Sequence, residues 1–412
     1  MYKIEIVSLD HQGRGIGKID NKTVFVSNAL PSEVVDIDII VSKKNYCEAG
    51  VNKILQKSTD RINPICPYFS LCGGCDLLHM SYAKQLEYKN DKVKNIMQRF
   101  CKEKFVIKNI ISSNDLYYRN KVTYHVDEDI GFYREKSNDL IKIDMCFLVD
   151  KRITRIYNVI KQKSNLKNIK SIIIRASYYT DDIMVVLEVL DVINEKEWID
   201  LLCDQVSTII INNQKKFKTI WGKDFMVENL LGYQFLIRND AFFQVNTLQA
   251  EKLYEKVLEY ADIKENETVL DLYCGTGTIG ILASKYAKKV IGIEINESAV
   301  KSANENKKLN NIKNIEFYVG DTGKILAKYH YNVDVVIVDP PRAGLNKDAI
   351  EEILQINSKK IVYVSCDPMT LARDLNILSE MYEIKELTPI DMFPNTAHVE
   401  CVSVLHRKSL EK

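Results

Sequence analysis

The stretch Asp271–Gly280, which reads DLYCGTGTIG, decides the fold of the carboxyl-terminal part of this chain. Its Gly-x-Gly-x-x-Gly pattern follows a strand-like segment, as in a tight turn from a strand into a helix. From residue 267 onward strand-like and helical segments alternate, and the strands read TVLDLY, VIGIEI, IEFYVG, DVVIVD and IVYVSC. This alternation predicts a parallel sheet covered by helices, so we expect an α/β, Rossmann-like domain over residues 241–412.

The same glycine turn predicts a nucleotide-like ligand. Gly275 and Gly277 would let the backbone approach it closely, and Glu294, after the second strand, could accept hydrogen bonds from ribose hydroxyls. The pattern alone fits a dinucleotide as well as S-adenosylmethionine, or a turn that binds nothing. Two features favour S-adenosylmethionine. Asp271 lies where a carboxylate can meet a ligand's ammonium group, and the tract Asp339-Pro-Pro-Arg-Ala-Gly follows the fourth strand.

A reactive cysteine is predicted at the end of the fifth strand. The segment Ile361–Pro368, IVYVSCDP, is a short buried strand that delivers Cys366 and Asp367 to its carboxyl end, where open α/β sheets bind their ligands. A free cysteine is often only a small core residue. The flanking acid and proline, together with the motifs upstream, favour a nucleophile.

Three cysteines within ten residues, Cys66, Cys72 and Cys75, indicate a metal site. Zinc would need a fourth ligand, commonly from a second CxxC pair, and the chain has none. Iron–sulfur ligation accepts a distant fourth cysteine. We choose Cys146 because it follows the strand-like IKID, and His79 is a nearby alternative. The other candidates are Cys47, Cys101 and Cys203.

Composition indicates a globular protein of two or three domains, because 412 residues exceed what one core usually supports. There is no run of eighteen apolar residues and no basic-then-apolar amino terminus, so we expect a cytoplasmic protein without membrane contact. A net charge of +1 neither demands nor excludes nucleic acid. Ten cysteines in a cytosolic chain favour metal binding, catalysis or burial over disulfides.

The amino-terminal part divides into two further domains. Residues 1–57 form short alternating runs separated by glycines, which predicts a five-stranded, oligonucleotide-binding (OB-like) β-barrel with surface lysines, or a β-extension that binds nothing. Residues 58–240 are mostly strand-like, with a helix over Ser81–Phe100, and predict a central α+β domain. Aromatic and basic residues interleave at Tyr117–Lys121 and Phe132–Arg134, as on a single-stranded nucleic-acid surface or in ordinary sheet packing.

Six motifs of this chain resemble those of the S-adenosylmethionine-dependent RNA uracil-5-methyltransferases, the TrmA/RumA group. They are CPYFSLCGGC, FFQVN, LDLYCGTGTIG, DPPRAGL, VSCDPMTLARDL and FPNTAHVECV. The resemblance runs nearly the full length, and the amino-terminal barrel is similar to the TRAM domain of this family. It implies a Rossmann-like methyltransferase domain at 241–412, and it suggests that the helix at 81–100 packs with this domain.

The resemblance also implies roles for individual residues. Cys366 corresponds to the nucleophile and Glu400, in HVE, to the base that removes the ring proton. Positions that bind S-adenosylmethionine in the family fall on Gln244, Tyr273, Glu294, Asp321 and Asp339. The ligands of the [4Fe–4S] cluster in its iron–sulfur members fall on Cys66, Cys72, Cys75 and Cys146.

The resulting expectation is methylation of carbon 5 of a specific uridine in RNA through a covalent cysteine–uracil adduct. Family members with both barrel and cluster resemble enzymes of 23S ribosomal RNA, which makes that RNA the expected partner of a monomeric enzyme. The alternatives are a transfer RNA methyltransferase of the same family, an RNA-binding module without activity, and an iron–sulfur oxidoreductase that uses a flavin or nicotinamide.

Overall fold

A closed barrel forms the amino-terminal part of the computed structural model, which describes residues 2–163, 166–328 and 332–409. Its strands are β1 (Tyr2–Glu5), β2 (Ser8–Leu9), β3 (Gly15–Ile19), β4 (Lys22–Ser27), β5 (Val34–Ser42) and β6 (Tyr46–Gln56). The sheet order is β1-β5-β6-β4-β3-β2. Because β1 and β2 are one nearly continuous strand at the two ends of this sheet, the sheet closes into a five-stranded barrel.

The segment after the barrel crosses to the carboxyl-terminal domain. Helix α1 (Tyr82–Phe100) has an apolar stripe, and its Val93, Ile96 and Met97 pack into the core of that domain. The buried Lys89 Nζ of α1 also binds Asp391 Oδ1 at 2.5 Å. Strand β7 (Val106–Ile107) then joins the sheet of the same domain as an edge strand.

The central domain contains a seven-stranded sheet with two helices packed on one face. Its elements are β8 (Lys121–Val126), β9 (Ile130–Tyr133), β10 (Leu140–Lys142), α2 (Lys151–Lys161), β11 (Ile169–Ala176), β12 (Ile183–Val189), α3 (Glu195–Leu202), β13 (Thr208–Asn213) and β14 (Lys216–Gly222). The order is β10-β9-β8-β11-β12-β13-β14. A separate hairpin, β15 (Phe225–Leu230) and β16 (Tyr233–Arg238), leads out of the domain and shares a core with the carboxyl-terminal domain.

The carboxyl-terminal domain alternates helices and strands. Its elements are α4 (Thr247–Ala261), β17 (Thr268–Leu272), α5 (Thr278–Ala283), β18 (Lys289–Glu294), α6 (Glu297–Leu309), β19 (Ile315–Val319), α7 (Thr322–Lys328), β20 (Val335–Val338), α8 (Lys347–Ile356), β21 (Lys360–Ser365), α9 (Pro368–Leu378), β22 (Tyr382–Ile390) and β23 (Glu400–Arg407). The eight-stranded sheet has the order β19-β18-β17-β20-β21-β23-β22-β7.

The first five strands of this sheet are parallel, and β23 runs antiparallel between β21 and β22. Strand β17 is central, because the chain proceeds outward from it in one direction through β18 and in the other through β20. Ligands bind at such a reversal of strand order. The predicted α/β, Rossmann-like fold is therefore confirmed. Across the described residues, no helix has both the length and the apolar character needed to cross a membrane.

Candidate active site

The carboxyl ends of the parallel strands form one edge of the eight-stranded sheet, and the residues of chemical interest follow these ends. Glu294 ends β18, and Tyr273 follows β17. Asp339 follows β20, and Cys366 follows β21. Glu400 begins the antiparallel β23 and therefore starts at the same edge. Asp339 thus lies between the glycine turn on one side and Cys366 with Glu400 on the other.

The glycine turn after β17 has the geometry that its sequence predicts. Gly277 has φ +80°, and a Cβ there would lie 2.6 Å from a phenylalanine ring atom, so only glycine fits. Gly275 has φ +54°, and a Cβ there would meet no atom within 4 Å, which means that open space adjoins the backbone. The Gly275 N–H donates to Glu294 Oε2 at 3.1 Å. A ligand can therefore approach this turn closely.

A small cavity adjoins the turn and contains three of the predicted cofactor residues. Gln244, Tyr273 and Asp339 line it together with the buried Tyr254, whose side chain is hydrogen-bonded to that of Gln244. The remaining lining residues are Phe242, Phe243, Cys274, Gly275, Thr276, Thr278 and Ile279. Asn246 caps α4, because its side-chain oxygen accepts the Gln249 N–H at 3.3 Å. This cap helps to fix the segment before α4, which contains Gln244.

The other two predicted cofactor residues lie beside this cavity and do not line it. Glu294 accepts the Gly275 N–H and, through Oε1, the Asn296 N–H at 2.8 Å. Asp321 follows β19 and accepts the Lys324 N–H at 3.1 Å, at the start of α7. Both carboxylates are therefore held by backbone groups along the same edge of the sheet, toward the side of β18 and β19.

Three carboxyl groups lie along this edge, of which Asp271 and Glu400 are buried and Asp339 is partly buried. Burial raises the pKa of Asp271 to about 8, that of Asp339 to about 7 and that of Glu400 to about 8, and their mutual repulsion adds to the rise for Asp271 and Glu400. Asp271 Oδ2 accepts the Gly280 N–H at 2.8 Å, whereas its Oδ1 is buried and has no partner within the described residues. This arrangement fits a cationic ligand such as S-adenosylmethionine, which carries a sulfonium and an ammonium group.

Cys366 and Glu400 lie opposite each other where β21 and β23 separate. The last paired residues are Ser365 of β21 and Cys401 of β23. Because the two strands are antiparallel, Cys366, which follows Ser365, faces Glu400, which precedes Cys401. Burial and the Glu400 charge raise the pKa of the half-buried Cys366 thiol to about 11, and Arg342 acts in the opposite direction. The site thus places a cysteine thiol opposite a buried carboxyl group.

Two residues of this site were not singled out from the sequence. Tyr254 lies on the buried face of α4, where it reads as an ordinary core position, and its pKa is raised by burial and by the three carboxyl groups around it. Arg342 belongs to the DPPRAG tract, and its positive charge acts on both Cys366 and Glu400. The DPPRAG tract could have identified Arg342 from the sequence, whereas no sequence pattern pointed to Tyr254.

Comparison with known protein families shows which family this chain belongs to. Residues 81–319 match the family described as tRNA (uracil-5-)-methyltransferase, residues 1–51 match the TRAM domain, and residues 263–405 match a methyltransferase domain. The chain belongs to the RNA uracil-5-methyltransferase family. The predicted family and its TRAM barrel are thereby confirmed, and the chain is an enzyme of the RNA methyltransferase class.

Relatives of this methyltransferase match it over nearly its whole length. An RNA methyltransferase of Clostridium tetani is 38% identical, with 98% of this chain and 96% of the relative covered. One of Clostridium acetobutylicum is 40% identical over 98% and 97%. A solved structure, Pyrococcus abyssi tRNA (uracil-54, C5)-methyltransferase in complex with S-adenosyl-L-homocysteine, is 29% identical with a TM-score of 0.79, covering 98% of this chain and 99% of that one.

The four cysteines predicted as metal ligands of the methyltransferase line one cavity of about 470 Å³ in the central domain. Cys66, Cys72 and Cys75 approach it from the loop before α1, and Cys146 from the segment after β10. Burial raises the pKa of all four thiols. Within the described ranges no three His, Cys, Asp or Glu side chains form a group that could hold a metal ion.

The other candidate ligands lie elsewhere in the methyltransferase. Cys47 is buried in the core of the barrel, Cys101 contacts Met97 after α1, and Cys203 ends α3. The His79 ring packs against Phe69 at 5.0 Å between ring centroids and does not line the cysteine cavity.

The proposed RNA-contacting residues of the methyltransferase separate into exposed and buried groups. Tyr118 is 7% exposed and donates its hydroxyl to Pro394 O at 3.0 Å, and Phe132 stacks on the buried Tyr124 at 5.2 Å. These two rings are packing residues. Tyr133 is 38% exposed and stacks on His125, so it retains an accessible face. Among the barrel lysines, Lys18, Lys43, Lys44 and Lys53 are exposed.

Proposed function

We propose that this enzyme methylates carbon 5 of a specific uridine in RNA, with S-adenosylmethionine as the methyl donor, through a covalent adduct between Cys366 and the uracil. The observation that carries the proposal is the position of Cys366 opposite Glu400, next to Asp339 and the cavity at the glycine turn. Methyl donor and base would thereby meet at one edge of the sheet.

Five residues would hold the donor: Gln244, Tyr273, Glu294, Asp321 and Asp339. When bound, S-adenosylmethionine supplies an electrophilic methyl group. The carboxyl groups of Asp271 and Asp339 would counter its positive charge, and Glu294, at the end of β18, would accept hydrogen bonds from its ribose. The open backbone at Gly275 and the small cavity beside the glycine turn adjoin these residues, so the ligand would bind along this edge of the sheet.

Cys366 prepares the uracil for methylation. Carbon 5 of uracil is too weak a nucleophile by itself, so the Cys366 thiolate first adds to carbon 6 and converts the ring into an enolate. Arg342 lowers the pKa of this thiol, and a cation bound beside Glu400 would act in the same direction by balancing the charge that raises it. After carbon 5 has received the methyl group, the carbon 5–carbon 6 bond is saturated, and the proton that remains on carbon 5 must be removed.

Glu400 completes the reaction by removing that proton. Its carboxylate takes the carbon 5 proton, the electron pair forms the carbon 5–carbon 6 double bond, and the carbon 6–sulfur bond breaks to release the Cys366 thiolate. Burial places the pKa of Glu400 at about 8, which suits a base that must accept a proton near neutral pH and later return it to water.

Iron binding at Cys66, Cys72, Cys75 and Cys146 is the second part of the proposal. These four thiols line one cavity without forming a close group for a single ion. A [4Fe–4S] cluster is held by four cysteine thiolates, and this cavity offers four cysteines, which would hold it. In this position it would tie the loop before α1 to the segment after β10 and would take no part in methyl transfer.

The RNA substrate would have to present its uracil unstacked, since Cys366 is half-buried and Glu400 is buried. We favour 23S ribosomal RNA. Transfer RNA is the second candidate, because the Pyrococcus abyssi tRNA (uracil-54, C5)-methyltransferase matches 98% of this chain. We also propose that the enzyme acts as a monomer in the cytoplasm.

The test is to map 5-methyluridine in both RNA classes from a strain that lacks the gene, and from the same strain complemented with wild-type protein or with Cys366→Ala. We expect one or more 23S positions to lose the modification and to regain it only with the wild-type protein. Loss confined to tRNA would select the second candidate. Unchanged modification in both classes would contradict the proposed function.

A further inference from the structure

The segment Asp391–His398, the base loop, leads directly into Glu400 at the start of β23. Its backbone is held by residues from the other end of the chain. The N–H groups of Asp76 and Leu77 both donate to Asn395 O at 3.0 Å, and Asp76 Oδ2 accepts the Ala397 N–H at 2.8 Å. Helix α1 adds Lys89 Nζ to Phe393 O at 2.9 Å and Lys92 Nζ to Ala397 O at 2.8 Å.

Asn395 is the most constrained residue of the base loop. It has φ +65°, a left-handed conformation that a side chain adopts only when its surroundings maintain it. The Gln85 side chain accepts the Asn395 N–H at 2.9 Å and donates to its Oδ1 at 3.0 Å, and Asn395 Nδ2 donates to Asp115 O. Groups outside the carboxyl-terminal domain therefore hold the Asn395 part of the loop, in addition to Asn246 and Thr396 within that domain.

Asp76 directly follows Cys75, one of the four cysteines that line the cavity of the central domain. The turn from Cys72 to Leu77 thus borders the cysteine cavity on one side and the base loop on the other. Any displacement of Cys75 would be transmitted through one peptide bond to the carboxylate that holds Ala397, three residues before Glu400. Asp76 thus contacts the base loop, and its neighbour Cys75 lines the cysteine cavity.

We propose that Asp76 is a positioning residue for Glu400 and that the cysteine site, through Asp76, sets the rate of the elimination step. This rests on the proposed function, in which Glu400 removes the carbon 5 proton. Cys366 does not depend on the base loop, because β21 and the Asp367 cap of α9 present it, with Asp367 Oδ1 accepting the Met369 N–H at 2.7 Å. Loss of the Asp76 contact should therefore slow elimination and spare addition and methyl transfer.

The experiment compares Asp76→Ala with Asp76→Asn, whose amide oxygen can still accept the Ala397 N–H. Asp144→Ala is the matched control, since Asp144 is two residues from Cys146 but binds Lys161 and Tyr68 and does not touch the base loop. In a single turnover with methyl-labelled S-adenosylmethionine, the methylated protein–RNA adduct should form at the wild-type rate in Asp76→Ala and decay roughly 10- to 100-fold more slowly. Asp76→Asn and Asp144→Ala should decay as the wild type does.

Hydrogen exchange supplies a readout that is independent of activity. In protein without RNA, the Ala397 amide should exchange faster in Asp76→Ala than in wild type, Asp76→Asn or Asp144→Ala. Removal of the metal from wild-type protein should raise exchange in the base loop in the same way. If Asp76→Ala fails to fold, Gln85→Ala, which is distant in sequence from the cysteines, should show the same slow adduct decay with unchanged iron content.

Two results would overturn the inference. Wild-type adduct decay in Asp76→Ala and Gln85→Ala would show that the base loop holds Glu400 without these contacts. If Asp76→Ala slowed adduct formation and adduct decay equally, and Asp144→Ala did the same, Asp76 would have only a general structural role. Failure of the proposed function looks different, because wild-type protein and Glu400→Gln would then form no adduct at all.

Discussion

We predict that the preference of this enzyme for S-adenosylmethionine over S-adenosylhomocysteine rises with pH. The two ligands differ in the charge on sulfur, which is positive only in the methyl donor. Burial raises the pKa of Asp339 to about 7, so this group is neutral in much of the free protein below that pH and becomes a carboxylate above it. A cation prefers the carboxylate, and its affinity must therefore increase as pH rises.

The magnitude follows from that pKa. With a value of about 7, the ionised fraction of Asp339 grows from roughly 0.1 at pH 6 to roughly 0.9 at pH 8. If binding of the sulfonium requires the carboxylate, the affinity ratio of the two ligands grows about tenfold over this range, or about 1.4 kcal/mol. Glu400, with a pKa of about 8, would add to the increase above pH 7.

Calorimetric titration of both ligands at pH 6, 7 and 8 measures this ratio. The ratio cancels the titration of the amino group that both ligands share. In Asp339→Asn, which carries no charge at this position at any pH, the increase between pH 6 and 7 should disappear, and only the part due to Glu400 should persist. A ratio that stays constant within about twofold in wild-type protein would refute the assignment of these carboxyl groups to the donor's positive charge.

Three further predictions concern catalysis, metal and RNA. Glu400→Gln should still allow addition of Cys366 to the uracil and methyl transfer but should block elimination, so a denaturant-stable methylated protein–RNA adduct should accumulate. Loss of methyl transfer without any adduct would indicate that Glu400 has a positioning role. Anaerobically purified protein should contain about four irons, and Cys146→Ser should lower the iron content as much as Cys72→Ser does; stoichiometric zinc without sulfide would overturn this. Removal of residues 1–57 should weaken RNA binding and reduce the slope of log affinity against log salt concentration by about one for each lost phosphate contact. Tyr133→Ala should instead reduce the binding free energy by about 1–3 kcal/mol with little change in that slope. Unchanged RNA affinity and site choice in the truncated protein would show that the barrel is structural.

Local sequence patterns were sufficient for the catalytic sheet. Each of its parallel strands is a short apolar run followed by glycine, acid or proline, and the glycine turn needs positive φ at Gly275 and Gly277. The chemistry of these sites is concentrated in the motifs, so Cys366, Asp339 and Glu294 fall on one edge of the sheet without knowledge of the tertiary structure. The barrel was predictable for the same reason, since its alternation follows directly from strand geometry.

Contacts between distant segments were not predictable in this way. Strand β7 has only two residues and exists because β22, near the other end of the chain, offers an open edge. Tyr118 and Phe132 fit a nucleic-acid surface in sequence, yet the fold turns both rings inward. Asp271 has one oxygen occupied by the Gly280 N–H, so half of the carboxylate expected to meet the ligand serves the turn itself. Such outcomes depend on which faces the tertiary structure covers.

The hold of Asp76 on the base loop illustrates the same limit. In sequence, Asp76 is one acid after a cysteine motif, and Ala397 is a small residue before a strand. Their 2.8 Å contact depends on the path of the chain from the central domain to the carboxyl-terminal domain. Periodicity and motif spacing carry no information about that path.

The most direct test of the central claim is to identify the cysteine that bonds to the substrate. RNA containing 5-fluorouridine has no carbon 5 proton to remove, so the enzyme should be trapped after methyl transfer. After incubation with S-adenosylmethionine and protease digestion, mass spectrometry should find the peptide containing Cys366 bonded to a methylated fluorouridine nucleotide, and Cys366→Ala should form no adduct. An adduct at another cysteine, or product formed from ordinary RNA by Cys366→Ala, would contradict the account.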